Sequence, residues 1–143
     1  MDNKLIAKAT ISIHAPASKV WDALTRPEII KQYFFGTEAI SDWKVGSPLH
    51  FKGVWQGKEY LDKGTILKSE REKVLQYTYL SSMSGLKDVP ENYNTVTYQL
   101  VSENGDTLLT VTQDNVATEE SKKHSEQNWL SVLNALKKLL EEK

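Results

Sequence analysis

The sequence predicts an α+β fold, a curved antiparallel sheet of about six or seven strands packed on one side by helices. Three observations carry that expectation. Residues 5–13 alternate apolar and polar side chains. The middle of the chain repeats this period-two pattern between turn signals, and residues 118–142 hold one continuous helical stripe.

The first strand puts Leu5, Ala7, Ala9, Ile11 and Ile13 on one face and Lys8, Thr10, Ser12 and His14 on the other. Pro16 stops it and stands where the first turn of a helix tolerates proline. Ala17, Val20, Trp21 and Leu24 then recur at helical spacing, predicting a short amphipathic helix to about Thr25. Pro27 separates it from a second short helix marked by Ile29, Ile30, Tyr33 and Phe34, with Gly36 as its cap.

Strands fill the next eighty residues. Leu49, Phe51 and Trp55 share a face before a turn at Gln56–Lys58, and Leu75, Tyr77 and Tyr79 share a face after a turn near Glu70–Lys73. Gly53 and Gly64 fall inside strands, where glycine marks a bulge or a bend. The clearest hairpin places Val96, Tyr98 and Leu100 opposite Thr107, Leu109, Val111 and Gln113, around a turn near Asn104–Gly105. The connection over residues 81–94 is long for a hairpin and carries Met83, Leu86 and Val89; it reads as either a lid or a plain connector.

Thr118 is the expected N-cap of the last helix, with Glu119 and Glu120 at the positive end of its dipole. Trp129, Val132, Leu133, Leu136, Leu139 and Leu140 form the stripe. Carried back toward the N-terminus, nearly the same face holds Ser121, Ser125 and Asn128 instead. The C-terminal half therefore needs an apolar partner and the N-terminal half does not, so the space between helix and sheet need not be filled.

Composition narrows the function. At 143 residues the chain is expected to form one domain with a core of its own. The absence of cysteine excludes disulfides, thiolate metal sites and a cysteine nucleophile, and suits a cytoplasmic protein. A net charge of −1 with interspersed signs gives no pull toward nucleic acid, and no segment has the length and apolarity of a membrane span or signal peptide. No histidine pair has metal-ligand spacing, and no serine sits in a nucleophile-elbow pattern. No catalytic residue, cofactor or metal is expected. Glu59 and Asp62 lie in a strand whose inner face is contested by Tyr60 and Leu61. Both read first as solvated charges; the other reading is a cyclase- or hydrolase-like cavity enzyme that uses Glu59, Asp62 or a tyrosine hydroxyl.

The runs APASKVWDALTRPEIIKQYFFG, KVGSPLHFKG, GTILKSEREKVLQYTY, NTVTYQLVSENGDTLLTVTQDN and NWLSVLNALKKLLEEK occur in this order, spanning about Leu5 to Leu140. Together they resemble a START-like (SRPBCC, helix-grip) domain of the branch named for the activator of the heat-shock protein 90 ATPase. The run from Val20 to Thr25 with Pro27-Glu28 is the most specific part. The resemblance implies a sheet gripping the long helix around a cavity, and binding of a small apolar or aromatic molecule there. Related branches catalyse cyclisations or hydrolyses in that cavity. In the eukaryotic activator such a domain contributes to chaperone contact beside a second domain, for which this chain has no room. The chain departs from the family pattern at Tyr33-Phe34-Phe35, at Asn128 where glycine is common, and at Gln113 where histidine is common.

The aromatic candidates for ligand contact are Tyr33 and Phe34 at the cavity mouth, and Phe51, Trp55, Tyr77, Tyr79, Tyr98 and Trp129 on the inner faces. Gln113, Ser121, Ser125 and Asn128 are the polar groups that would orient a mainly apolar ligand. Trp21 is assigned to the core. The expected assembly is a monomer or weak homodimer, with a chaperone contact as the weaker alternative.

Overall fold

Each run of period-two alternation forms a strand, and the runs of helical spacing form helices. The computed structural model describes residues 5–34, 36–82 and 85–141, with the side chain of Trp55 outside that set. In chain order the elements are β1 (Leu5–Ile13), α1 (Ala17–Thr25), α2 (Pro27–Tyr33), β2 (Glu38–Ile40), β3 (Pro48–Trp55), β4 (Lys58–Glu70), β5 (Val74–Tyr79), β6 (Asn94–Glu103), β7 (Asp106–Val116) and α3 (Glu119–Glu141). The strand β2, three residues long, is too short to display a period and has no counterpart in the sequence reading.

The strands form one sheet in the order β1-β7-β6-β5-β4-β3-β2, and neighbours pair antiparallel. From β2 to β7 the chain is a meander of successive neighbours. Its β6–β7 turn has Asn104 and Gly105 at φ 53° and 88°, as a two-residue hairpin requires. Since β1 and β2 occupy opposite edges, α1 and α2 carry the chain across the sheet between them. That crossing buries Val20, Trp21 and Leu24 of α1 and Ile30 of α2 in the common core.

The inner faces agree with the expected parity. Leu49, Leu75, Val96, Leu109 and Val111 are buried there, against Leu133 and Leu136 of α3. Each such side chain contributes about 1.5–3 kcal/mol by leaving water. On β4 the contest resolves in favour of the even positions. Ile66 and Asp62 are buried, while Leu61 is 51% exposed.

Residues 85–93 of the 81–94 connection lie along the outer face, while Ser82 turns inward. Asp88 pairs with Lys63, a neighbour of buried Asp62 that points the other way, and accepts from the Tyr93 hydroxyl at 2.5 Å. Residues 85–93 thus strap the side of the sheet away from α3 and are not a lid; Met83 lies outside the described residues.

Candidate functional site

The change of character along α3 becomes a hollow. Trp129 and Val132 are buried against the sheet, whereas Ser125 is half-buried and Asn128 lies exposed at the rim. Side chains this short do not reach the sheet floor, and a cavity of about 210 Å³ remains between them. Phe34, Phe51, Tyr77, Tyr79 and Val96 form its apolar wall. The helix closes it with Trp129 and Val132, and Gln113, Ser125 and Asn128 make one polar corner.

The wall is a continuous aromatic contact network. Phe34 stacks on Phe51 with centroids 6.0 Å apart and meets the Trp129 ring edge-on at 6.1 Å. Phe51 touches Tyr77 and Tyr79 at 5.8 and 5.9 Å. Such pairs favour tilted and offset geometries, which fix the ring orientations. The indole N–H of Trp129 donates to Oε1 of Gln113 at 2.9 Å, tying the helix to β7 across the polar corner.

Behind Tyr79 lies a polar cluster that the sequence reading placed in solvent. Asp62 is 7% exposed. Its Oδ2 accepts from the Tyr79 hydroxyl at 2.5 Å, and its Oδ1 accepts from the Ser82 N–H at 2.8 Å and the Ser82 hydroxyl at 3.1 Å. A buried carboxylate without such donors would cost several kcal/mol. With three donors it is a tether that joins β4 to β5 and to Ser82, three residues past its end. Glu59, by contrast, is exposed. Burial first, and the Asp62 hydrogen bond second, push the Tyr79 phenol above its ordinary range, and burial does the same for Tyr77. Both remain neutral hydroxyls at any physiological pH.

The structure brings eight of the twelve candidates to the hollow: Phe34, Phe51, Tyr77 and Tyr79, and with them Gln113, Ser125, Asn128 and Trp129. Tyr33 is not at the mouth. Its hydroxyl donates to the Ala23 carbonyl at 2.7 Å, stapling α2 to α1 within the core. Tyr98 is buried beneath the wall, edge-on to Trp129 at 5.9 Å. Ser121 belongs to the helix cap, where Thr118 Oγ1 accepts its N–H at 3.0 Å and donates to its Oγ at 3.0 Å. The Trp55 side chain lies outside the described residues. Val96 and Val132 line the hollow, and sequence reasoning placed them only among core positions; both share a face with chosen residues, Tyr98 and Trp129, which was the available signal.

Among the described residues no group of three or more acidic or histidine side chains is placed to hold a metal. Nor is any helix long and apolar enough to cross a membrane.

A curved antiparallel sheet closed against one long helix, with a hollow between them, defines the helix-grip class. Within it, the chain belongs to the family described as Activator of Hsp90 ATPase homolog 1-like protein, which matches residues 14–141. The structure is similar to the solution structure of ChR145 from Cytophaga hutchinsonii, at 50% identity and a TM-score of 0.87 over 99% of this chain and 97% of that one. The crystal structure of MLL2253 from Mesorhizobium loti matches at 21% identity and a TM-score of 0.79, over 95% and 96% of the two chains. The solution structure of the Aha1 dimer from Colwellia psychrerythraea matches at 21% identity and 0.76, over 96% of each. A comparison with curated proteins finds no match.

Proposed function

We propose that the protein binds a small apolar or aromatic molecule in the hollow between the sheet and α3, without catalysing a reaction on it. The observation that carries this reading is the hollow's lining, an aromatic wall with one polar corner, which is the usual composition of a small-molecule site. The groups present support binding over turnover. The phenols of the wall are held neutral, and the oxygens of Asp62 are engaged by Tyr79 and Ser82.

A chaperone contact would need an apolar outer face. Val54 and Leu61 are exposed there, but Lys52 and Glu59 stand opposite them in the β3–β4 register and break the patch. We place the molecule in the cytoplasm as a single-domain monomer or weak homodimer.

The test is a thermal-shift screen against apolar and aromatic metabolites. A ligand of the native state raises the melting temperature with concentration, by about 2.7 kcal/mol of added stability at a hundredfold excess over Kd. In Ser125→Leu the added side chain occupies the hollow, so the shift should vanish while the unliganded melting temperature stays at or above that of the parent. Hits that survive this substitution would place the ligand elsewhere and sink the proposal.

A further inference from the structure

We infer that the ligand is a single aromatic ring bearing a neutral oxygen acceptor, a carbonyl above all, seated against the amide nitrogen of Gln113; this rests on the hollow being the binding site, as proposed above. The first support is the orientation of that amide. An indole N–H only donates, so the Gln113 atom facing Trp129 at 2.9 Å must be the carbonyl oxygen. Trp129 thereby sets which way the amide lies. The amide nitrogen of Gln113 therefore turns away from the indole, no described residue accepts from it, and Gln113 itself lines the hollow. A ligand that covers this half-buried amide must supply an acceptor for it or leave its donors desolvated. The Ser125 hydroxyl lines the same corner and supplies a further donor.

Charge supplies the second support. No lining residue carries a formal charge. A carboxylate bound there would be desolvated without a cation to pair with, and an ammonium group would meet the donor hydrogens of Gln113. A carbonyl has the acceptor without the charge.

Size supplies the third. The hollow measures about 210 Å³. An apolar cavity of about 150 Å³ accommodates benzene, whereas drug-sized ligands take roughly 300–1,000 Å³. One ring with a small substituent fills it, and larger ligands must protrude past the rim at Asn128.

Four probes separate these points: acetophenone, ethylbenzene, benzoate and 2-acetonaphthone, each titrated into nitrogen-15-labelled protein while the Trp129 indole resonance is followed. Acetophenone should shift it saturably. Ethylbenzene, the same shape without the acceptor, should bind about five- to tenfold more weakly, the worth of one hydrogen bond. Benzoate should leave it in place, and 2-acetonaphthone should bind more weakly than acetophenone. Gln113→Glu keeps an acceptor for the indole but removes both donors. It should erase the advantage of acetophenone over ethylbenzene with the rest of the spectrum intact. Equal binding of ethylbenzene, tighter binding of benzoate or 2-acetonaphthone, or an undiminished preference in Gln113→Glu would overturn the inference while leaving the hollow a binding site. If none of the four probes moves any resonance of the hollow, this inference falls, and the binding reading stands or falls by the thermal-shift screen.

Discussion

Gly64 faces the main-chain carbonyl of Thr78 so closely that a Cβ would overlap it. The pairing of β4 with β5 lapses there, between Lys63↔Leu80 and Ile66↔Tyr77, and the Thr65 N–H is taken by the Thr78 hydroxyl at 2.9 Å. The two strands approach closely at the level of Asp62 and Tyr79, so this glycine helps bring the tether and the aromatic wall together. Neither backbone can yield without disturbing the ladder on both sides. Gly64→Ala should therefore cost about 3 kcal/mol, the upper range for overpacking a well-filled site, read as a lower urea midpoint. A midpoint within experimental error of the parent would show that the strands separate freely. Glycine inside a strand pattern was a legible signal for a bend. The inward facing of Asp62 was not, because Tyr60 and Leu61 compete on adjacent positions and the deciding donors, Tyr79 and Ser82, are 17 and 20 residues away.

At the scale of elements, α3 does more than cover the hollow. It runs beside β1, the open edge of the sheet, and its side chains meet main-chain groups there. The Lys8 N–H donates to Glu126 at 3.0 Å, the His14 N–H to Glu141 at 2.7 Å, and Lys137 donates to the Ser12 carbonyl at 2.9 Å. An uncovered edge is a template for pairing with another chain, and these contacts block it. Hydrogen bonds from Lys137, then from the His14 N–H, hold the Glu141 carboxyl below its ordinary range. In Glu126→Ala and Glu141→Ala, exchange of the Lys8 and His14 amides, respectively, should accelerate about tenfold or more while core amides keep their rates. Unchanged rates would mean that the helix covers the edge without these bonds. Lys137 and Glu141 stand four apart on one helix and pair with each other, which by itself accounts for both charges locally. Their partner strand lies over a hundred residues earlier, and no local pattern reports it. The stripe of α3 and its change at Ser125 were legible, since both are properties of one element. Ser121 shares that face, and the cap at Thr118 that engages its N–H and its hydroxyl is a second local role the stripe does not report.

Taken whole, the molecule concentrates its phenols on the inside. Of the six tyrosines in the sequence, Tyr33, Tyr77, Tyr79 and Tyr98 are raised above the ordinary value of 10.0 chiefly by burial, and Tyr93, on the outside, chiefly by its hydrogen bond to Asp88. The first four belong to the core or pack against it, so none of them can ionise without opening the contact between sheet and helices. The sign of the pH dependence follows. Below about pH 10 the phenols are neutral in both the folded and unfolded chain, and their burial brings no pH-linked penalty. As pH rises past the unfolded value, the unfolded chain releases protons that the folded chain retains. Stability then falls by about 1.4 kcal/mol per pH unit for each such phenol, until the folded values are reached. Urea midpoints measured at rising alkaline pH should drop along that slope, with tyrosinate absorbance appearing for these four groups only as the protein unfolds. Tyr77→Phe removes one titrating phenol while keeping the ring against Phe51, and should lower the slope by about 1.4 kcal/mol per pH unit. A slope unaffected by that substitution, or tyrosinate from the buried groups in folded protein, would show that water reaches the wall of the hollow from within.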